Sequence, residues 1–261
     1  MRVFDFNRAI VRRPGRSIVD GLRAGDHSGP SYEGVAREHG VYLAALAGAG
    51  LAITELPPLE SYPDSIFVED PALVFPEGAI LLRPGVPTRS GEAAELEPTL
   101  RAAFPALLEL RAGHADGGDI LVTPEIVFIG LSDRTDEEGA EAVARLLAEF
   151  GRKTRVVRPP AGTLHLKSSA SLIDEETILT TRPVAESGLF DGFRVLIVAE
   201  GEEAGANVLR LNDVVIAGSG FPRTQALLEG QGLGLSLVPT EQIARIDAGL
   251  TCMSLRWHDG G

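Results

Sequence analysis

The sequence predicts an α/β fold, a five-bladed pseudo-symmetric α/β propeller of ββαβ modules whose fifth module is shared by the N- and C-termini. Two observations lead to this prediction. A strand–turn–strand pattern recurs along the chain with a helical segment and a further strand behind it, and the two termini supply complementary halves of one more unit. We therefore expect residues 1–261 to form a single α/β-propeller domain. The alternative is an open α/β sheet with exposed terminal strands.

The hairpins are the clearest element of the pattern. Each has an apolar strand, a short polar turn (Pro-Glu-Gly, Thr-Pro-Glu, Asp-Glu-Glu or Asn-Asp) and a second apolar strand. The four segments are "EDPALVFPEGAILLRPG", "GGDILVTPEIVFIGLSDRT", "SSASLIDEETILTTRPV" and "GANVLRLNDVVIAGSGFPRT". Their first strands are expected to begin near Asp70, Asp119, Ser169 and Asn207, and Cys252 is expected to begin a fifth.

Helical segments follow the hairpins. "GEAAELEPTLRAAF" leads to the strand "LLELRA", "DEEGAEAVARLLAEFG" to "TRVVRPP", and "PRTQALLEGQG" to "LSLVPT". In the second of these helices, Ala140, Val143 and Leu147 recur at helical spacing. The third module has only "VAESGLFDG" before "RVLIVA", which is too short to predict a helix with assurance.

The N-terminal region supplies the second half of the fifth unit. It reads as a strand "RAIVRRP", a helix in "SYEGVAREHGVYLAALAGAG" and a strand "LAITELP". The last strand of the chain would then pair with the first. Such pairing closes a ring and leaves no terminal repeat exposed.

Composition excludes several classes of protein. A formal charge of −13 argues against a nucleic-acid partner, and no apolar run is long enough to span a membrane. The first residues lack a signal peptide, and a single cysteine excludes an internal disulfide, so we expect a cytoplasmic protein. No ligand spacing for zinc or calcium and no phosphate-binding loop is present, so neither a metal nor a cofactor is expected. The sequence leaves the oligomeric state open, a homodimer included.

The polar residues of the pattern are expected on one face of the ring. The first strand of a hairpin begins where the second ends, so residues at those points share one face. They are Asp64, Glu69, Asp70, Asp116, Asp119, His165 and Cys252 at strand starts, Arg89 and Arg134 after second strands, and Leu22 in the loop after "RAIVRRP".

This placement bears on the only cysteine. Alone, Cys252 is either a small buried hydrophobic residue or a nucleophile, and an isolated His165 is more often a core histidine. A thiol, an imidazole and carboxylates brought together from separate units are what an activated nucleophile requires. We therefore interpret Cys252 as a nucleophile and His165 as its base.

These residues stand in segments that resemble the dimethylarginine dimethylaminohydrolase family of the guanidine-modifying (pentein) superfamily. The resemblance runs nearly end to end, and Asp116 stands where some members carry glutamate. It is carried by "RSIVDGL", "YPDSIFVEDPALVF", "LLRPG" with "RSGE", "ADGGDIL", "IGLSDRT", "LHLKS", "GFPRT" and "LTCMSL".

The resemblance implies both a fold and an activity. The family fold is a five-bladed α/β propeller. The implied enzyme is a hydrolase acting on C–N bonds of linear amidines, with methylated L-arginine as its small-molecule substrate. It would convert Nω-monomethyl- and asymmetric dimethylarginine to L-citrulline and methylamine or dimethylamine through a covalent cysteine thiouronium.

The resemblance also implies roles for individual residues. Cys252 would be the nucleophile, His165 the acid/base and Asp116 its orienting carboxylate. Residues 20–30 would form a lid. The implied substrate-binding residues are Asp70 for the guanidinium, Asp64 and the Leu22 carbonyl for the α-amino group, Arg89 and Arg134 for the α-carboxylate, Glu69 without a defined role, and backbone atoms near Ile246 and Thr251.

Related activities are alternatives to this reading. Arginine deiminases share the core segments but usually carry a helical insertion, for which this chain has no room. Agmatine deiminases and amidinotransferases are longer, and agmatine lacks the carboxylate that two arginines would bind. A ribosome-associated initiation factor shares the five-fold ring without chemistry, and a set of Cys252, His165 and Asp116 argues against that class.

Overall fold

Five three-stranded sheets form the frame of the computed structural model, which describes residues 2–24 and 28–260. The strands are β1 (Arg8–Arg12), β2 (Ala52–Leu56), β3 (Ala72–Phe75), β4 (Gly78–Leu81), β5 (Leu107–Glu109), β6 (Ile120–Val122), β7 (Val127–Gly130), β8 (Thr154–Val157), β9 (Ala170–Leu172), β10 (Thr177–Thr180), β11 (Arg194–Ile197), β12 (Leu209–Leu211), β13 (Val214–Gly218), β14 (Gly234–Val238) and β15 (Leu255–Trp257).

Every sheet has the same internal order. A first strand pairs antiparallel with a middle strand, which pairs parallel with a third, as in β3–β4–β5 and β6–β7–β8. The fifth sheet is β15–β1–β2, with Ala9 opposite Arg256. The two ends of the chain therefore share one module, and the five-module fold predicted from the sequence is confirmed.

Helices connect the middle and third strands of the modules. They are α1 (Tyr32–Gly48), α2 (Glu92–Ala103), α3 (Glu137–Glu149), α4 (Arg182–Glu186) and α5 (Pro222–Glu229). In α3, Ala140, Val143 and Leu147 are fully buried, as their helical spacing predicts. The third module has a helix after all, but α4 spans only five residues. Within the described ranges, no helix is long and apolar enough to cross a membrane.

A central cavity of about 230 Å³ runs inside the ring. The first strands of all five modules line it, from β3 to β15, and so do residues 2–6 at the N-terminus. Five first strands can share one cavity because the modules close on themselves. Phe4 lies here between two guanidinium groups, with Arg2 and Arg210 at 5.0 and 5.1 Å from its ring centroid.

Short 3₁₀ turns place the functional residues in front of the first strands. Such turns cover Gly117–Asp119, Leu166–Ser168, Glu203–Ala206 and Leu250–Met253. The expectation that Cys252 begins the fifth strand is wrong, because β15 begins only at Leu255. The Cys252 carbonyl accepts from the Glu69 N–H at 3.1 Å, and this contact joins two modules outside the strand ladder.

Candidate active site

A second cavity, of about 200 Å³, gathers most of the predicted site residues. Carboxylates, guanidinium groups, the imidazole and the thiol all reach it. The predicted residues that line it are Leu22, Asp64, Asp70, Arg89, Arg134, His165, Ile246 and Cys252. They come from loops and turns of separate modules, so the ring geometry brings them together.

Three predicted residues lie outside this lining. Asp116 is fully buried behind His165. Glu69 and Thr251 line the central cavity instead. The Thr251 hydroxyl accepts from the Asn207 side chain at 3.2 Å, directly beside Cys252 in the chain. These three residues support the cavity from behind.

Cys252 lies half-buried above a cluster of opposite charges. Below it, one oxygen of Glu69 contacts Lys167 at 2.7 Å and Arg256 at 2.9 Å. Burial raises the pKa of the Cys252 thiol to about 12, and the negative charges of Asp70 and Glu69 add to this effect against the opposing charge of Lys167. The unliganded site therefore holds a neutral thiol.

His165 is held by Asp116. Its Nε2 lies 3.3 Å from Asp116 Oδ2, and the other Asp116 oxygen accepts from the Gly85 N–H at 2.8 Å. Burial by itself lowers the pKa of His165. The hydrogen bond to Asp116 and the charges of Asp70, Asp119 and Asp116 outweigh burial and raise it above its ordinary value. The imidazole therefore rests in a field that favours its protonated form.

The sequence Asp-Gly-Gly-Asp explains how this arrangement is built. A Cβ at Gly118 would lie 2.6 Å from His165 Nδ1, and one at Gly117 would lie 2.0 Å from the Glu69 carbonyl oxygen. Only glycine permits both approaches. Asp119 then accepts from the Leu166 N–H at 3.0 Å and from the Thr135 hydroxyl at 2.7 Å, which joins the second module to the third.

Arg89 is enclosed by acceptors. Its Nη1 donates to Asp70 Oδ2 at 2.5 Å, while Nε and Nη2 donate to the two Glu92 oxygens at 3.0 and 2.6 Å. Nη2 also donates to the carbonyls of Phe67 and Asp64 at 3.1 and 3.3 Å. Burial acts on Asp70 to raise its pKa, but Arg89, His165 and hydrogen bonds together lower it, so Asp70 is ionised.

The loop that was predicted to be a lid meets the cavity at two points. The Leu22 N–H donates to Asp64 Oδ1 at 3.0 Å, and the Ala24 N–H donates to Asp247 Oδ2 at 2.5 Å. Residues 25–27, the middle of the predicted lid, lie outside the described residues. The backbone of Leu22 and the carboxylate of Asp64 are thus neighbours at this edge of the cavity.

Several residues of the site escaped the sequence analysis. Lys167 follows His165 by two residues, and Arg256 follows Cys252 by four. In strand-like segments this even spacing places both residues of each pair on the same side of the strand, so it could have indicated Lys167 and Arg256. Glu92 ends the segment "RSGE", three residues after Arg89, where the 3₁₀ turn Pro87–Arg89 and the start of α2 bring the two side chains together. Arg23 and Ala24 belong to the loop predicted as a lid, whereas the other cavity-lining residues carried no individual signal: Phe67, Leu164, Asp247 and Ala248.

Three described residues, Asp70, Asp116 and His165, offer ligand atoms within 4.8 Å of one another and have the geometry to hold a metal ion. Both carboxylates already face guanidinium groups, with Arg89 2.5 Å from Asp70 and Arg134 3.7 Å from Asp116. A cation would compete with these charges at close range. A site without metal remains the prediction.

A closed ring of five ββαβ modules, with a cysteine, a histidine and buried carboxylates at one end, defines the class of guanidine-modifying α/β propellers. The arginine deiminase family model matches residues 59–196. N(G),N(G)-dimethylarginine dimethylaminohydrolase of Pseudomonas aeruginosa is 35% identical over 97% of this chain and 100% of its own. The chain belongs to the dimethylarginine dimethylaminohydrolase family.

Solved structures agree with this assignment. The Pseudomonas aeruginosa enzyme, as a cysteine-to-serine mutant complexed with citrulline, superposes with a TM-score of 0.93 at 34% identity and covers 97% of this chain and 100% of its own. A histidine-to-glycine mutant of a dimethylarginine dimethylaminohydrolase, as an adduct with S-methyl-L-thiocitrulline, also gives 0.93 at 35% identity, with 96% and 99% coverage. The N-terminal domain of a cyanobacterial arginine dihydrolase gives 0.86 at 17% identity, with 97% of both chains covered, which shows a common fold.

Proposed function

We propose that this protein hydrolyses Nω-monomethyl- and Nω,Nω-dimethyl-L-arginine to L-citrulline and methylamine or dimethylamine. One observation carries the proposal: the only cysteine of the chain lines the same cavity as His165, Asp70 and the two arginines Arg89 and Arg134. The cavity thus offers a nucleophile, an acid/base, a carboxylate for a guanidinium and cations for a carboxylate.

The reaction follows from these groups in two steps. Asp70 holds the substrate guanidinium, whose positive charge lets the Cys252 thiol release its proton to solvent, and the resulting thiolate attacks the central carbon of the guanidinium. The C–N bond to the methylated nitrogen breaks, and the amine leaves with a proton from His165, so that a thiouronium remains on Cys252. His165 then takes a proton from water, which adds to the same carbon. The C–S bond breaks and releases L-citrulline.

The amino-acid end of the substrate would be held away from the sulfur. Asp64 and the Leu22 carbonyl bind the α-amino group, and Arg134 and Arg89 bind the α-carboxylate. The backbone near Ile246 and Thr251 lies beside Cys252. Glu69 forms an ion pair with Lys167 on the side of the central cavity. Arginine suits this task because its guanidinium is always charged and presents several N–H donors to carboxylate oxygens.

The relatives support this proposal. Two proteins similar to this chain carry the name N(G),N(G)-dimethylarginine dimethylaminohydrolase, and the citrulline complex shows such an enzyme with the expected product. The arginine deiminase family match makes hydrolysis of unmethylated arginine the second candidate. Both reactions share one mechanism and differ in the leaving group.

A comparison of substrates tests the function. We expect citrulline from monomethyl- and dimethyl-L-arginine, and slower release from L-arginine. Citrulline is measured colorimetrically, with the Cys252→Ser protein as the control for contaminating activity. Faster turnover of arginine than of either methylated substrate would make the protein a deiminase. Absence of citrulline from all three would reject both functions.

Ionisation of the thiol by the substrate is a further prediction. With a pKa of about 12, Cys252 is protonated throughout the neutral range, and the thiolate fraction grows about tenfold per pH unit. Inactivation by iodoacetamide should therefore accelerate from pH 6 to 9 without a plateau. A cationic chloroacetamidine should react much faster near pH 7, because its charge between Asp70 and the sulfur stabilises the thiolate.

Mass spectrometry locates this modification without ambiguity, because the chain has a single cysteine. Cys252→Ser is the control for alkylation elsewhere. If the rate of inactivation by iodoacetamide reaches a plateau near pH 6, the thiolate–imidazolium pair is preformed and the prediction is wrong.

We expect the enzyme to work in the cytoplasm, because a nucleophilic cysteine needs a reducing compartment to stay active. Cell fractionation with an antibody against the protein tests this expectation. The sequence leaves the oligomeric state open, and light scattering at assay concentrations distinguishes a monomer from a homodimer.

A further inference from the structure

The hydrogen bonds of Arg89 limit how it can bind a substrate. Its guanidinium has five N–H groups, and the contacts to Glu92, Asp70 and the carbonyls of Asp64 and Phe67 occupy four of them. Within the described chain, the second hydrogen on Nη1 is the one left without an acceptor. Arg89 can therefore give a ligand carboxylate one hydrogen bond and not the two-pronged clamp usual for arginine.

Glu92 accepts two of the five hydrogen bonds that Arg89 donates. It is 3% exposed, does not line the cavity, and is the residue that contacts Arg89 through both carboxylate oxygens. These oxygens hold Nε and Nη2, the edge of the guanidinium that faces away from Asp70. A guanidinium that is hydrogen-bonded along that edge cannot turn within its own plane, so the direction of the free Nη1 hydrogen is fixed.

We propose that Glu92 is a positioning residue for substrate recognition: through Arg89, it aims one N–H at the α-carboxylate of the substrate. This inference rests on the proposed function, because it assigns the carboxylate of an arginine derivative to that N–H. Arg134, which has an 18% exposed side chain and lies 3.7 Å from Asp116, supplies the second contact.

The charges of the cluster support this role. Arg89 lies between two carboxylates, Asp70 and Glu92, at 2.5 and 2.6 Å. Without the two acceptor oxygens of Glu92, the edge formed by Nε and Nη2 loses its side-chain anchor, and Arg89 can turn about its contact with Asp70. The free N–H would leave the cavity, while Asp70 would keep the contacts to Arg89 and the Gly118 N–H that it has now. Loss of Glu92 should therefore weaken the carboxylate end of the site more than the guanidinium end.

Ligand binding separates these two ends. In a Cys252→Ser background, titration calorimetry measures Kd for monomethyl-L-arginine and for its decarboxylated analogue, monomethylagmatine. Glu92→Gln should weaken binding of the first about tenfold, the loss expected for one charged hydrogen bond, and of the second less than about threefold. Glu92→Asp should recover part of the loss, because it restores a carboxyl group that can accept from Arg89.

Glu95→Gln is the matched control. Glu95 lies on the same turn of α2 but is exposed, and it should leave both Kd values unchanged. Thermal melting followed by circular dichroism shows whether Glu92→Gln folds, and Glu92→Asp carries the test if it does not. Equal weakening of both ligands, or no weakening of either, would overturn the inference.

The outcome is distinguishable from a failure of the proposed function. If monomethyl-L-arginine does not bind even with Glu92 in place, both the proposed substrate and the role of Glu92 are wrong. If it binds normally but the two ligands respond equally to Glu92→Gln, only the inference about Glu92 is wrong.

Discussion

Replacement of Cys252 by serine is expected to lower citrulline formation by at least about 10⁴-fold while leaving the fold intact. A hydroxyl ionises far less readily than a thiol, and a protonated His165 cannot deprotonate it. The backbone contacts of Cys252, to the Gly249 carbonyl and from the Glu69 N–H, do not depend on the side chain. Citrulline release and thermal melting are the two measurements.

The variant also discriminates between chemical and structural roles for the cysteine. A normal melting temperature with lost turnover supports a nucleophile. Turnover within about 100-fold of the wild-type rate would mean that another group attacks the substrate, and the assignment would be abandoned.

His165→Ala is expected to trap the covalent intermediate, but only with one kind of substrate. A methylated nitrogen must be protonated before it can leave, so methylarginine should form no adduct. S-methyl-L-thiocitrulline releases methanethiol, which leaves without an acid, and the resulting thiouronium should persist because no base activates water. Acid quench and intact mass spectrometry should show one adduct per chain.

Asp116→Asn provides the companion variant. Asp116 is fully buried and acts through its hydrogen bond to His165. The Asp116→Asn substitution should therefore slow both steps, because it changes the orientation and charge of His165, and it should trap less adduct than His165→Ala. Normal turnover of S-methyl-L-thiocitrulline by His165→Ala would contradict the role of His165 in the second step.

Much of the fold was predictable because it repeats. Apolar alternation, turn residues and helical spacing recur in each module, and every recurrence strengthens the same prediction. The limits lie where tertiary contacts decide. The turn at Cys252 has the composition of a strand, but the contact between Glu69 and the Cys252 carbonyl keeps it out of the ladder. The helix α4 fits into five residues because its module is packed by Val184 and Phe190.

The sequence predicted which residues gather at the site better than it predicted which of their side chains contact each other. Hairpin geometry gathers Asp70, Arg89 and His165 on one face whichever way they point. The sequence does not indicate that Arg89 gives most of its donors to the protein, or that Glu69 faces the central cavity. Such contacts join distant modules and depend on side-chain directions that the periodicity of a strand does not determine.

The shared fifth module has a consequence for the time course of synthesis. The strand β1 leaves the ribosome long before its antiparallel partner β15, because Arg12 at the end of β1 and Leu255 at the start of β15 are 243 residues apart (255 − 12). At about 5–20 residues per second, β1 waits for roughly ten seconds or more with one edge unpaired. Arg8, the first residue of the strand, and Arg13, which follows it, place exposed charges at its two ends, and such charges disfavour pairing with other chains. Because Cys252 is translated just before the closing strand β15, closure of the ring and completion of the active site arise together.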